Sequence, residues 1–399
     1  MPSSLAPDRL QYLDRFLEKR YLEQGRLPCA LTLIEHRGKV AHFSALGHMD
    51  IERQRRVEKD TIFRIYSMTK PITSVAFMML VEQGLVALDD PVHRFIPQWR
   101  DLGVYEGGSI GTFRSRPTRA AMRVIDLLRH TSGLTYGFQQ RTNVDAVYRK
   151  LRLGEIGGKV TLDAMIDGLA QVPLEFSPGE LWNYSVATDV LAYLVEKISG
   201  QPFAAFLQSR ILQPLGMHDT DFHVPPEKAS RLAACYLAAG DGMRLQSDPQ
   251  KSAYLHSPTF FSGGGGLVST AGDYLRFCRM LLNGGSLDGV RIVSPKTIEL
   301  MTANHLPGGK ELPDLSVSLF SETAFAGVGF GLGFAVTVDP AKTLLPGTQG
   351  DFAWGGMAST YFWVDPREEL IVIFMTQLMP STTYQIRREL RTLVYSAFD

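Results

Sequence analysis

The sequence has little cysteine and no net charge. Its 399 residues include three cysteines, and 41 lysines and arginines balance 41 aspartates and glutamates. Cys29, Cys235 and Cys278 are far apart and none belongs to a C-x-x-C pair, which argues against a disulfide framework. A neutral chain also gives no reason to expect nucleic acid or an acidic membrane surface as a partner.

Long apolar runs and a leader segment are also lacking. No apolar run is long enough to cross a bilayer. Residues 1–8 have neither the basic region nor the apolar region of a signal peptide. We therefore expect a cytoplasmic protein without a membrane partner.

The sequence shows no sign of a metal site. Its nine histidines are scattered, without an H-E-x-x-H motif or a cluster at ligand spacing. Its length and its 45% hydrophobic content are enough for the core of one large or two medium domains.

Residues 63–72 combine a serine and a lysine at the start of a helix. Apolar residues recur at helical spacing from Ser67 until Gly84 ends the helix. Pro71 is tolerated only near a helix N-terminus, so the helix begins at or just before Ser67. Residues three apart on a helix share a face, so the Lys70 amine can approach the Ser67 hydroxyl.

This pairing suits a nucleophile. A serine hydroxyl attacks only when a base takes its proton, and an amine serves as that base where its surroundings disfavour its charge. The Ser67 amide would then point toward an oxyanion on the attacked carbonyl. The alternative is a capping serine followed by an exposed lysine, although the S-x-x-K pattern occurs only at Ser67 and Lys70.

Periodicity predicts an α+β fold in which the two ends of the chain form one layered unit. We expect residues 1–91 and 264–399 to form a discontinuous α/β domain with an antiparallel sheet flanked by helices. Residues 92–263 are predicted to form a mostly helical domain, with a ligand site in the cleft between the two. Predicted strands cover residues 30–36, 39–47, 330–338, 359–364 and 370–376, and predicted helices start near residues 10, 67, 124, 161, 187, 203, 270, 295 and 386.

Two other motifs are given no catalytic role. Residues 263–266 are all glycine, but no G-K-[ST] follows, so a flexible or tightly packed domain junction is expected instead of a phosphate loop. Residues 107–111 fit the G-x-S-x-G pattern, which needs a strand, a sharp turn and a helix. The residues that follow do not look helical, so Ser109 is predicted to lie in a loop.

Three short motifs, in order, resemble those of the serine β-lactamase and penicillin-binding-protein superfamily. They are Ser67-Met68-Thr69-Lys70, Tyr184-Ser185-Val186 and Trp354-Gly355-Gly356. The resemblance is closest to the class C branch and the family VIII carboxylesterases. It covers most of the chain, including residues 84–92 and 127–134, and implies a β-lactamase-like fold.

The resemblance also implies a role for each matching residue. Ser67 would be the acylated nucleophile, with Lys70 and Tyr184 sharing its proton. The amides of Ser67 and Met357 would form the oxyanion hole. Substrate-binding positions would be Trp354, Gly355, Gly356 and Val186. The alternatives are a half-buried core tyrosine at residue 184 and a strand bulge at the two glycines, and the bulge is compatible with the functional role.

Two departures from the family pattern favour neutral esters. Trp354 stands where β-lactamases and peptidases usually have a lysine that holds the substrate carboxylate. Val186 stands where an asparagine usually binds a substrate amide, and valine cannot make that hydrogen bond. Both changes replace polar groups with apolar surface.

We therefore expect a serine carboxylesterase that hydrolyses short-chain neutral esters. The alternatives of the same fold are a β-lactamase, a D-amino-acid peptidase or an acyltransferase, and that of another class is a non-catalytic ligand sensor. No cofactor is expected, because the nucleophile and its bases are all side chains. The expected partner is a small-molecule ester, and the sequence leaves the oligomeric state open.

Overall fold

This computed structural model describes residues 4–240, 242–317 and 326–399, which contain both helices and strands. The helices are α1 Pro7–Leu17, α2 Thr69–Glu82, α3 Val124–Leu128, α4 Asn143–Leu151, α5 Leu162–Leu169, α6 Ala187–Ser199, α7 Phe203–Leu207, α8 Ala271–Leu282, α9 Pro295–Met301, α10 Leu312–Leu315, α11 Pro340–Thr343 and α12 Ile386–Tyr395. The strands are β1 Cys29–His36, β2 Lys39–Asp50, β3 Arg55–Arg56, β4 Phe63–Arg64, β5 Gly103–Gly107, β6 Arg114–Pro117, β7 Cys235–Ala239, β8 Gly242–Ser247, β9 Val268–Ser269, β10 Ser286–Leu287, β11 Val290–Arg291, β12 Val328–Phe330, β13 Ala335–Thr337, β14 Phe352–Gly355, β15 Tyr361–Asp365, β16 Leu370–Met375 and β17 Leu378–Met379.

An eight-stranded antiparallel sheet joins the two ends of the chain. Its order is β12-β13-β14-β15-β16-β1-β2-β3. Strand β1 pairs with β16, in a register that places Leu31 opposite Met375 and His36 opposite Leu370. The sheet therefore contains strands from both the first and the last parts of the chain.

Helices cover both faces of this sheet. Strand β16 is buried at every residue, and successive side chains of a strand point to opposite faces. Val372 and Phe374 pack in one core with residues of α1 and α12, whereas Ile371 and Ile373 pack in the other with residues of α2 and α8. The continuous apolar sequence of β16 follows from this two-sided burial. The predicted fold class, an antiparallel sheet flanked by helices, is confirmed.

One predicted strand is wrong. Residues 330–338 form not a single strand but parts of a hairpin, in which Phe330 of β12 pairs with Ala335 of β13. Gly333 turns the chain with φ +101°, a conformation that side chains rarely adopt. At Gly331 a Cβ would meet the Met301 carbonyl oxygen, so the turn also requires glycine there.

The segment 92–263 contains helices α3 to α7 together with two strand pairs. Strands β5 and β6 form one hairpin, and β7 pairs with β8 and, in parallel, with β17 near the end of the chain. The division of the chain into 92–263 and the remainder stays a prediction. Within the described residues, every helix is too short or too polar to cross a membrane.

Candidate active site

The predicted nucleophile lies on a sharp turn between β4 and α2. Tyr66–Met68 form a 3₁₀ turn that leads directly into α2. Tyr66 has φ +42°, which is unfavourable for a residue with a side chain and recurs at functional sites. The Tyr274 hydroxyl donates to the Met68 carbonyl at 2.9 Å and fixes the turn. Ser67 is thereby partly exposed between two buried neighbours.

The Lys70 amine contacts the Ser67 hydroxyl, as the helical spacing predicts. Lys70 is buried, and its Nζ donates to Ser67 Oγ at 3.2 Å and to the Gly264 carbonyl at 2.7 Å. The second contact holds the amine in place from outside its own helix. Gly264 belongs to the glycine run, which the structure shows to be tightly packed. A Cβ at residue 264 would lie 2.7 Å from both Asp189 Oδ2 and the Tyr136 hydroxyl.

Tyr184 reaches the same place from the loop that precedes α6. Lys70 Nζ lies 4.4 Å from the centroid of the Tyr184 ring and 5.2 Å from that of Tyr136. The Tyr184 ring packs against the rings of His130 and Trp354, with centroids 5.0 Å and 5.4 Å away. The structure thus brings Lys70 and Tyr184, two of the predicted catalytic residues, together at the wall where Ser67 lies.

A cavity of about 710 Å³ opens in front of these residues. Its volume is in the range of small-molecule sites, and its wall is rich in aromatic side chains. The predicted residues on that wall are Ser67, Tyr184, Trp354, Gly355, Gly356 and Met357. The Met357 side chain is 41% exposed.

The two glycines of the third motif allow close approach of other groups. A Cβ at residue 356 would lie 2.5 Å from the Ile65 carbonyl oxygen, and one at residue 355 would lie 2.6 Å from the Arg387 guanidinium. The end of β14 therefore lies directly against the turn that carries Ser67. The backbone of Met357, the predicted second oxyanion donor, follows immediately.

Trp354 and Val186, the two departures from the family pattern, differ in their position. Trp354 is half-buried on the cavity wall, and its ring centroid lies 5.3 Å from that of Phe330. Val186 is fully buried, and a Cβ at Gly154 would lie 2.5 Å from its Cγ1. Val186 is absent from the described residues that line the cavity, so its predicted contact with substrate stays a prediction.

Sequence reasoning missed the carboxylate next to this site. Asp189, on α6, accepts hydrogen bonds from the Ser262 hydroxyl at 2.6 Å and the Gly264 amide at 2.9 Å. Burial raises the pKa of Asp189, while the charge of Lys70 and these hydrogen bonds act in the opposite direction. Asp189 lies on the side of α6 opposite its apolar stripe, where a polar residue is usual, so the sequence carries no signal of this contact.

Tyr136 and His130 are the other missed neighbours of the site. Burial raises the pKa of the Tyr136 phenol well above its usual value, with Asp189 and Tyr184 adding to the effect. Burial, and then the charge of Lys70, lower the pKa of His130 well below its usual value. Both side chains therefore stay uncharged at neutral pH. The single sequence signal at His130 is its place in the block 127–134.

The pattern Gly-x-Ser-x-Gly does not form a second nucleophile turn. Ser109 is exposed in the connection between β5 and β6, and its carbonyl accepts a bond from the Thr112 amide at 2.9 Å. The connection leads into a strand instead of a helix. The predicted loop position of Ser109 is thus what the structure shows.

Comparisons with known proteins identify the family and the fold. Residues 15–396 match the sequence profile of the family described as Beta-lactamase. An uncharacterized protein of Mycobacterium tuberculosis (strain CDC 1551 / Oshkosh) is 38% identical, over 90% of this chain and 88% of its own length. The esterase EstB of Burkholderia gladioli is 32% identical, over 89% of this chain and 87% of its own. Among solved structures, EstCE1, "a hydrolase with promiscuous acyltransferase activity", has a TM-score of 0.81 at 26% identity, covering 98% of this chain and 99% of that one.

Proposed function

Because this chain belongs to the β-lactamase family, we propose that it is a carboxylesterase that hydrolyses short-chain neutral esters through an acyl-enzyme on Ser67. The protein is a serine hydrolase of that family. The observation that carries the proposal is the buried Lys70 amine, 3.2 Å from the hydroxyl of a serine that faces an aromatic cavity.

The proposed reaction has two half-reactions. Ser67 Oγ attacks the ester carbonyl while Lys70 and Tyr184 take its proton, and the amides of Ser67 and Met357 hold the oxyanion. Tyr184 then protonates the leaving alkoxide as the bond between the carbonyl carbon and the alkoxide oxygen breaks. Water, deprotonated by Tyr184, attacks the acyl-enzyme and releases the carboxylic acid and the free serine. No step requires a cofactor.

The cavity favours an uncharged substrate. Its wall places the indole of Trp354 where a lysine would attract a carboxylate. The Arg391 guanidinium, also on the wall, is paired with both oxygens of Asp351 at 3.0 Å and 2.9 Å. The Glu155 carboxylate at the wall is paired in the same way, with the Arg152 guanidinium at 2.6 Å and 2.7 Å. The similarity to the esterase EstB supports an ester as the substrate.

Acyl transfer is the second candidate. Its support is the structural similarity to EstCE1, which is described as a hydrolase with promiscuous acyltransferase activity. A cavity of about 710 Å³ leaves room for an alcohol beside a short acyl group. Adding a primary alcohol to an ester assay, with detection of the new ester by mass spectrometry, distinguishes transfer from hydrolysis.

A substrate panel tests the proposal. We expect kcat/KM for p-nitrophenyl butyrate to exceed that for nitrocefin and for a D-alanyl amide. The Ser67→Ala variant should hydrolyse the ester at the background rate, because the nucleophile is gone. The matched control is Ser109→Ala, which should keep wild-type activity.

Three results would contradict it. Faster turnover of nitrocefin or the D-alanyl amide than of any simple ester would favour a β-lactamase or a peptidase. Loss of activity in Ser109→Ala, with activity kept in Ser67→Ala, would reject the assigned nucleophile. Absence of turnover on the whole panel would favour the ligand sensor.

A further inference from the structure

Arg387 contacts the peptide group that precedes Met357. We propose that Arg387 is a positioning residue of the oxyanion hole, which binds the Gly356 carbonyl and thereby orients and polarises the Met357 amide. The inference rests on the proposed function, because it takes that amide as an oxyanion donor.

The structure places a charged hydrogen-bond donor on the Gly356 carbonyl. Arg387, on α12, is only 7% exposed. Its Nη2 donates to the Gly356 carbonyl at 2.9 Å and to the Thr360 carbonyl at 3.1 Å. The Gly356 amide donates in turn to the Thr360 carbonyl at 2.9 Å. One guanidinium nitrogen thus connects the two ends of the tight connection between β14 and β15.

The sequence provides the space that this arrangement needs. A Cβ at Gly355 would lie 2.6 Å from two guanidinium atoms of Arg387, so a larger residue would displace the arginine. Gly355 therefore has a second role beyond that of a strand glycine. It lets a buried cation reach the carbonyl of the next residue.

Neighbouring side chains hold the guanidinium in this position. Arg387 lies 5.3 Å from the centroid of the Tyr361 ring, at cation–π distance. The Tyr361 hydroxyl accepts a bond from Arg391 Nε at 3.1 Å, and Arg391 is held by both oxygens of Asp351. A donor held in this way keeps its geometry before substrate arrives, as effective electrostatic catalysis requires.

The physical effect follows from the structure of a peptide group. The carbonyl of Gly356 and the amide of Met357 belong to one planar unit and point in opposite directions. A cation bonded to the carbonyl oxygen draws electron density from the amide and makes its N–H a stronger donor. The same contact fixes the plane of the unit. The benefit is largest in the transition state, when the substrate oxygen carries negative charge.

The test compares Arg387→Met and Arg387→Lys with the matched control Arg388→Met on the same helix. The substrates are a p-nitrophenyl ester and its thionoester, whose sulfur is a weak hydrogen-bond acceptor. Loss of a whole oxyanion donor lowers kcat by about 10²- to 10³-fold, so its weakening should cost roughly tenfold or more. We expect Arg387→Met to lower kcat for the ester with little change in KM, and to lower it much less for the thionoester. Arg387→Lys should restore part of the loss, and Arg388→Met should match wild type.

Several results would overturn the inference. An equal loss of kcat on ester and thionoester would show that Arg387 has only a general structural role. Unchanged kinetics would show that Arg387 has no role in the reaction. A rise in KM confined to esters that carry a free carboxylate would make Arg387 a substrate-binding residue instead. If Arg387→Met fails to fold, the ratio of the two substrates in Arg387→Lys decides the question. A wild-type enzyme that does not hydrolyse the ester would refute the proposed function itself, which is a separate outcome.

Discussion

Two unlike contacts define the environment of Lys70 at the scale of the residue. Its amine touches a hydroxyl at 3.2 Å and a carbonyl at 2.7 Å, with the face of the Tyr184 ring 4.4 Å away. The Gly264 carbonyl thus fixes the amine from outside α2, next to the hydroxyl whose proton it is proposed to take.

The first prediction concerns the two bases. Lys70→Met and Tyr184→Phe should each lower kcat/KM for p-nitrophenyl butyrate by about 10²- to 10⁴-fold, the usual contribution of a general base. The control is Tyr193→Phe, because Tyr193 is a buried residue of α6 that lies away from the cavity. This variant should have wild-type kinetics. An active Tyr184→Phe enzyme would remove the phenol from the mechanism.

The second prediction concerns Asp189. Asp189→Asn keeps the acceptor for the Ser262 and Gly264 bonds but removes the charge that attracts Lys70. We expect kcat/KM to fall by roughly tenfold, which corresponds to about 1.4 kcal/mol in the barrier. Because burial raises the pKa of this carboxyl, ionising it costs stability, and that cost appears as pH rises through its folded pKa.

Stability should therefore respond in the opposite direction to activity. The melting temperature of Asp189→Asn at neutral pH should equal or exceed that of wild type. A lower melting temperature together with lower activity would instead indicate that the carboxylate is needed for the fold.

At the scale of elements, the site depends on the contact between the end of β14 and the turn before α2. The third prediction replaces Gly356 with alanine. Its Cβ would lie 2.5 Å from the Ile65 carbonyl oxygen and would also meet the Thr360 hydroxyl, so the strand end must move away from Ser67. Because small displacements of catalytic groups are costly, kcat should fall by about 10²-fold.

A second glycine provides the control. Gly272, in the first turn of α8, is exposed, and a Cβ there would meet nothing closer than 3.9 Å. Gly272→Ala should leave kcat unchanged and stabilise the fold by about 0.4–1 kcal/mol. Wild-type kcat in Gly356→Ala would show that the spacing between the two elements is not critical.

Local patterns in the sequence predicted the elements that are long and regular. The stripe from Ala187 to Ile198 was enough because its helical period is unambiguous. The apolar run of β16 was enough because it is short and rich in β-branched residues. Strands β6 and β8 were missed because they are short and largely polar, so they carry no apolar alternation. The sequence predicts one strand across Gly333 because β-formers such as Phe330, Phe334 and Val336 lie on both sides of it.

The same distinction applies to the site. The sequence predicts Ser67, Lys70 and Tyr184 as site residues because each belongs to a short motif of neighbouring residues. Asp189 and Tyr136 were missed because their proximity to Lys70 depends on how the glycine run 263–266 packs against α6. Such a contact between distant segments leaves no local pattern.

At the scale of the whole molecule, buried titratable groups make the stability of the fold depend on pH. His130 is only 2% exposed, and its ring packs against the rings of Trp182, Tyr184 and Phe330. Its folded pKa is well below that of the unfolded chain, near 6.5. Stability from the neutral ring is thus complete above about pH 6.5 and is lost as pH falls toward the folded pKa.

The fourth prediction follows from this sign. The free energy of unfolding should fall below about pH 6.5, by up to about 1.4 kcal/mol per pH unit for this one group. The slope should be smaller in His130→Asn and unchanged in His256→Gln, whose ring is exposed. Urea titrations between pH 5 and 8 measure this pH dependence of the free energy of unfolding. An identical slope in His130→Asn and wild type would contradict the assignment.

The most direct test of the whole account is mass spectrometry of the covalent intermediate. The enzyme is mixed with a fluorophosphonate or an activated short-chain ester, quenched, and digested to locate the adduct. The account predicts one adduct, on Ser67, which is absent from Ser67→Ala and forms more slowly in Lys70→Met and Tyr184→Phe. An adduct on Ser109, or an enzyme that turns over esters without labelling Ser67, would contradict it.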